Sequence, residues 1–189
     1  MVDRPARKGP KSEQAMHEIA LRYVDRFAPT VARMRLYLGK KVVLSVDSGV
    51  AQADADRWSQ SIVERLLRVG LLNDDRWARS RTRGLRRRGK SARAIRYDLR
   101  IKGIEASLID QVLEEDREDP AAELKSAAAL ARRRRLGPYA RVEQRAERRQ
   151  KHLASLARSG FSFSIARQVV DAGTVDDIAD MIEELSEYA

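Results

Sequence analysis

The chain has 189 residues, enough for one ordinary domain or a short array of small modules, and 38 Lys and Arg against 28 Asp and Glu leave a net charge of +10. That excess points to a polyanion or an acidic protein surface as partner, the plain alternative being a solvated arginine-rich surface. No cysteine is present to support disulfides or thiolate chemistry, no apolar run approaches the roughly 20 residues of a membrane span, and nothing at the start reads as a signal peptide, so a soluble cytoplasmic protein is expected.

Aromatics are few, alanines many, Gly and Pro scarce, and β-branched runs nearly absent. The expected fold class is all-α. Residues 1–12 are basic, carry Pro and Gly and lack an apolar period, which predicts a disordered arm. A first helix is predicted from about Glu13 to Phe27. Pro29 breaks it, and Thr30 caps a second helix carrying Val31, Met34 and Leu38. Within 41–53, the run KVVLSV reads equally as a helix tail or an extended segment, and the residues after it read as a loop. Residues 13–53 form the first expected module with its linker.

The second expected module spans 54–104. Its first helix begins at Asp54 or Asp56, turns Trp58, Ile62, Leu66 and Val69 inward, and ends at Gly70. Its second starts at Asn73 or Asp74, with Trp77, Ala78, Gly84 and Leu85 on one side and Arg76, Arg79, Arg83 and Arg87 down the other. Gly89 stops that helix, and Ser91 caps a third that buries Ala92, Ile95 and Leu99, with Arg93, Arg96 and Arg100 along its flank. From Arg76 to Lys102 only one acid, Asp98, interrupts twelve bases.

A third module is expected over 105–172. It starts with a short helix from Ser107 to Leu113, then an acidic loop, EEDREDP. A helix with the small-residue spine Leu124, Ala127, Ala128 and Ala131 follows and finishes at Arg132 to Arg135. A long helix from Tyr139 to Ser159 should place Val142, Ala146, Leu153 and Leu156 on one seam, and Ser162 should cap the helix after it. Residues 173–189 make an acidic helix, with Thr174 and Asp177 as a box-like cap and Ile178, Met181, Ile182 and Leu185 inward.

One phrase occurs three times. Leu66 to Leu71, Leu99 to Ile104 and Leu156 to Phe161 all read L-x-x-x-G-apolar, a helix end in which Gly takes the left-handed conformation. The second and third copies continue in parallel as IEASLIDQVL and FSFSIARQVV. This predicts tandem three-helix repeats in an elongated, curved helical array.

Catalytic signatures are missing. His17 and His152 stand alone, no metal-ligand spacing occurs, and Asp74-Asp75 and Asp176-Asp177 are explained by helix starts. No enzyme activity, metal or cofactor is expected. The arginine stripes differ in kind, because like charges at i, i+3 and i+4 cost helix stability. Rows of guanidinium groups suit carboxylates or phosphates. The candidate partner-binding residues are Arg76, Arg79, Arg83, Arg86, Arg87, Arg93, Arg96, Arg100, Lys102, Arg132 and Arg133.

These segments also carry a family resemblance. ALRYVDRFAPTVARMRLYL, GLLNDDRWARSRTRGLRRRGKSARAIRYDLRIKGI, ALARRRRLGPY and LARSGFSFSIARQVV, in this order, resemble the RecX family of bacterial RecA regulators over roughly residues 15 to 172. The resemblance implies a cytoplasmic, non-enzymatic protein of three tandem three-helix repeats, and a monomer is expected. It implies binding to the RecA nucleoprotein filament, with suppression of ATP hydrolysis, strand exchange and LexA self-cleavage, and with contact to single- or double-stranded DNA phosphates. Two departures stand out: Trp77 where the family often has Phe or Tyr, and a helix over 174–188 beyond the usual end. The competing readings are a direct helix–turn–helix DNA-binding regulator over 74–102 and a basic RNA-associated helical protein.

Overall fold

Several helices of this chain begin where a short hydroxyl side chain precedes an apolar run. In the computed structural model, which describes residues 8–187, Ser12 accepts from the Ala15 N–H to start α1 (Glu13–Phe27). Thr30 accepts from the Arg33 N–H to start α2 (Val31–Asp47), as the sequence predicts. The remaining helices are α3 (Gln52–Arg68), α4 (Asp74–Arg87), α5 (Ala92–Ile101), α6 (Ala106–Asp116), α7 (Ala122–Arg134), α8 (Val142–Arg158), α9 (Phe163–Asp171) and α10 (Val175–Glu187). A 3-10 turn, Gly137–Tyr139, stands between α7 and α8. Among the described residues there is no strand, and three successive helix triplets, α1–α3, α4–α6 and α7–α9, precede α10. The all-α repeat fold expected from the sequence is the one observed. No helix of the described residues is long and apolar enough to cross a membrane.

Two compact units are distinguished: residues up to Trp77 together with Lys102–Ile104, and Ala78–Ile101 together with the residues from Glu105 on. In the first, Met16 and Ala20 of α1, Met34, Leu38 and Val42 of α2, and Ala55, Ile62, Val63 and Leu66 of α3 share one core. α3 thus packs with α1 and α2, whereas the break expected at 53/54 stands ahead of it. Tyr23 stacks on Tyr37 with ring centroids 3.8 Å apart. KVVLSV is helix tail: Ser45 and Ser48 donate to the carbonyls four residues back, so the polar side chains are satisfied within α2.

The disordered arm expected over 1–12 falls largely on residues 1–7, which lie outside the described residues. From Lys8 on, the chain meets α2. The Gly9 N–H donates to Ser48 Oγ at 2.9 Å, Pro10 is buried, and a Cβ on Gly9 would lie 2.1 Å from the Leu44 carbonyl carbon. Only glycine permits that approach.

In the second unit, Ala78, Thr82 and Leu85 of α4, Ile95 and Leu99 of α5, and Ile109, Val112 and Leu113 of α6 are buried. A second core gathers Leu124, Ala127, Leu130 and Ala131 of α7 with Leu153 and Leu156 of α8, Val169 of α9 and Ile178 of α10. The alanines let neighbours approach α7 closely, as its small-residue spine predicts. Gly89, at φ +70°, lies so near α7 that a Cβ there would sit 2.6 Å from the Leu130 nitrogen. The first turns of α8 depart from expectation. Val142 is 70% exposed and Ala146 is exposed, so the apolar seam begins only at His152 and Leu153. The acidic loop expected after Leu113 is shorter than its sequence suggests: Glu114, Glu115 and Asp116 extend α6, and residues 117–121 make the turn to α7. Thr174 and Asp177 form the expected box: Asp177 accepts the Thr174 N–H while its own N–H donates to Thr174 Oγ1.

Candidate partner-binding surface

The arginines of α4 and α5 divide into those that hold the second unit together and those that face solvent. α4 turns Ala78, Thr82 and Leu85 inward at i, i+4 and i+7, so positions on either flank of that stripe can reach neighbouring helices. Arg81 grips Asp98 through two parallel hydrogen bonds, Nε to Oδ2 at 2.9 Å and Nη2 to Oδ1 at 2.8 Å. The hydrogen bonds to Asp98 push the Arg81 pKa up, burial opposing them. Asp98, the one acid in the basic stretch, is thus an internal counter-ion. Its isolation among twelve bases was the signal that sequence reasoning passed over.

Arg86 is held harder still. Its guanidinium pairs with Asp116 of α6 and Glu123 of α7 and donates to the Lys90 carbonyl at 3.2 Å. Burial works against its charge, yet the hydrogen bonds to Asp116 and Glu123 prevail and its pKa is raised. Glu123 also accepts the Ala92 N–H, so the same carboxylate caps the start of α5. Arg79 pairs with Glu115, and Arg96 of α5 pairs with Asp110. Three of the candidate residues, Arg79, Arg86 and Arg96, therefore spend charge inside the unit.

Others do not. Arg83, Arg87, Arg93, Arg100, Arg132 and Arg133 are exposed, and among the described residues they form no ion pair or side-chain hydrogen bond. Arg83, Arg86 and Arg87 are brought to one cavity of about 420 Å³, which also holds Glu115, Asp116 and Asp119. On α5 the solvent face carries two side chains that the sequence reading left out, Tyr97 at 68% exposure and Ile101 at 61%. They follow Arg93 at intervals of four, so Arg93, Tyr97 and Ile101 form one row with Arg100 beside it. Arginine and tyrosine are enriched in protein interfaces, and a row of them around an apolar residue has the composition of a contact centre.

Two candidates belong to the first unit. Arg76 is exposed, its N–H is taken by Asn73 Oδ1 at 2.8 Å, and its guanidinium donates to the Gly70 carbonyl at 3.3 Å. Asn73, not Asp74, is therefore the cap of α4. Asp74 Oδ1 accepts the Val31 N–H of α2 at 2.9 Å, while burial raises the Asp74 pKa against that bond and the nearby Arg35. Lys102 contributes its carbonyl, which accepts from Thr30 Oγ1 at 2.8 Å, and its side chain is half-buried.

Comparison with known proteins adds a second line of observation. The family model described as RecX, second three-helix domain, matches residues 73–113, which hold α4, α5 and most of α6. A protein named Regulatory protein RecX from Myxococcus xanthus (strain DK1622) is 35% identical over 177 residues, covering 90% of this chain and 94% of that one. Its namesake from Mycobacterium avium (strain 104) is 30% identical, covering 88% of each chain. Another from Mycobacterium leprae (strain Br4923) is 40% identical over 62% of this chain and 68% of its own. No solved structure matches the chain significantly.

Proposed function

The chain belongs to the RecX family of regulatory proteins, and from that premise we propose that it binds the RecA nucleoprotein filament and inhibits its ATPase, strand-exchange and LexA co-protease activities. The observation that carries this reading is the solvent face of α4 and α5. Arg83 and Arg87 of α4 and Arg93 and Arg100 of α5 are exposed and form no ion pair among the described residues, and on α5 Tyr97 and Ile101 stand exposed in one row with Arg93. Such a face suits an acidic protein surface, with DNA phosphates as a further set of acceptors. In this reading the cytoplasmic monomer acts without cofactor or catalysis. Its helical array lies along the filament and blocks the second DNA and the movement of one RecA protomer against the next, damping recombination and the SOS response.

The direct helix–turn–helix reading fares worse, because a recognition helix offers its first turn to the groove. Here Ser91 is buried, donates to the Ser159 carbonyl at 2.8 Å and caps the Ala94 N–H, while the Ala92 N–H is taken by Glu123. The test is inhibition of RecA-driven ATP hydrolysis by an Arg83→Glu, Arg87→Glu, Arg93→Glu triple variant at two salt concentrations. Asp180→Lys, Glu183→Lys, Glu187→Lys on the exposed side of α10 is the charge-changed control. Loss of inhibition in the first and its retention in the second is expected. A folded arginine variant that inhibits like the parent would reduce the stripe to a solvated face.

A further inference from the structure

The densest unbalanced charge of the second unit is not on the α4–α5 surface but in a separate cavity of about 570 Å³ where α7 ends and α8 begins. Arg134, Arg135, Arg141, Arg148 and Lys151 line it together with the buried His152. Among the described residues no carboxylate lines it, whereas the cavity at Arg83 and Arg87 holds three. Glu143 and Glu147 of α8 stay out of it. Arg134 is the only one of the five with a side-chain partner among the described residues, and its acceptors, Ser155 Oγ at 3.1 Å and Ser159 Oγ at 3.2 Å, are neutral. Five positive groups therefore converge without internal compensation.

The backbone adds to this. Arg141 occupies the N-cap of α8 and offers no side-chain acceptor to the first turn. The N–H groups of Val142 and Glu143 have no acceptor among the described residues. A cation at a helix N-terminus opposes the helix dipole, so a purely structural role for Arg141 there is unfavourable. An anion in the cavity, which Arg141 and Gln144 at the start of α8 line, turns that unfavourable charge into a favourable one. Among the described residues the lining has no Phe, Tyr or Trp ring, and its one imidazole, His152, is buried, so charge rather than base identity is what this site reads.

We infer that this cavity is a binding site for phosphate groups, at least two in a chain, built from Arg134, Arg135, Arg141, Arg148, Lys151 and the first turn of α8. The backbone of a single nucleic-acid strand and a free polyphosphate present the same chemistry. The site stands apart from the α4–α5 face and is testable without RecA, so its failure and the failure of the filament reading are distinguishable.

The experiment measures anisotropy of a labelled single-stranded oligonucleotide with the full chain over a salt series, and displacement by inorganic tripolyphosphate. The site variant is Arg141→Glu, Arg148→Glu. The control of equal charge change is Arg22→Glu, Arg158→Glu, at exposed positions outside the cavity. With about 0.7 counter-ions released per phosphate contacted on a single strand, losing two contacts lowers the slope of log K against log salt by about 1.4, and affinity falls about tenfold or more at low salt. The control should change affinity less than about twofold. Protection of Lys151 from acylation by tripolyphosphate, read on the parent chain by mass spectrometry, gives the same answer without a substitution. Strand binding that depends on the cavity assigns the phosphodiester source. Cavity-dependent tripolyphosphate binding without strand binding assigns the free source. Equal losses in site variant and control, or an unprotected Lys151 with both probes, overturn the inference.

Discussion

Replacing Arg86 with Met removes a guanidinium that is 12% exposed and leaves Asp116, 14% exposed, and Glu123, 28% exposed, facing each other without a cation. Breaking a buried pair from one side costs about 3–5 kcal/mol, because the remaining charge stays uncompensated. Partial hydration of Glu123, and its second bond to the Ala92 N–H, put this site at about 3 kcal/mol. At roughly 2–4 °C per kcal/mol for a chain of this size, Tm should fall by about 6–12 °C. The assay is urea and thermal unfolding followed by circular dichroism. Arg86→Lys keeps the charge but loses the fork and should recover part of the loss. The Arg86→Met, Asp116→Asn, Glu123→Gln variant should be more stable than Arg86→Met alone, since no unpaired charge remains. An Arg86→Met protein within about 0.5 kcal/mol of the parent, the scatter of ordinary surface changes, would refute the assignment of Arg86 to the frame.

The outward arginines should behave in the opposite way: each of Arg83→Glu, Arg87→Glu and Arg93→Glu should shift stability by no more than about 0.5 kcal/mol, checked by the same unfolding curves. His152 is buried and its Nδ1 accepts the Gly137 N–H at 3.1 Å, while burial first and Arg148 second push its pKa below the ordinary 6.5. The unfolded imidazole therefore binds a proton that the folded one refuses, so its contribution to stability is complete above pH 6.5 and is lost as pH falls through the folded value. Unfolding measured from neutral pH downward should show a loss that is absent from His152→Gln, and parallel slopes would contradict it. Deleting residues 175–189 exposes the core under Ile178 and should cost about 2 kcal/mol, net of the helix's own ordering. An unchanged Tm with altered filament inhibition would instead make α10 a regulatory arm.

Helix starts and stops were the most legible part of the fold. Ser12, Thr30, Ser162 and the Thr174–Asp177 box cap through contacts within four residues, which a local pattern contains in full. All three repeated glycines take positive φ, Gly70 at 71°, Gly103 at 75° and Gly160 at 91°. Their phase was harder to read. Gly103 and Gly160 follow α5 and α8, the second helices of their triplets, while Gly70 follows α3, the third of its own. In the first copy, Leu71 is 45% exposed and Leu72 takes the inner place that Ile104 and Phe161 hold in the others. Candidate residues were legible as charge but not as role. Which arginine turns inward depends on Glu115, Asp116 and Glu123, and helical spacing alone does not reveal that an acidic segment meant as a loop supplies two of those partners.

Thr30 and Asp74 carry a consequence for synthesis of the chain. Thr30 Oγ1 caps α2 and donates across 72 residues to the Lys102 carbonyl, and Asp74 closes the same helix start through the Val31 N–H. Lys102–Ile104 complete the first unit although 24 residues, Ala78–Ile101, intervene in the chain. A nascent polypeptide cannot finish this unit when Trp77 leaves the ribosome; it must wait for Ile104, with the intervening segment already looped out. Closing a loop of that length costs entropy that grows only with the logarithm of its length. The delay is therefore one of translation time rather than of a high barrier. A fragment cut at Trp77 will retain the Met16–Leu66 core yet lack the unit's last three residues, and amide exchange at Arg33, whose N–H Thr30 Oγ1 caps, is where that missing closure will be felt.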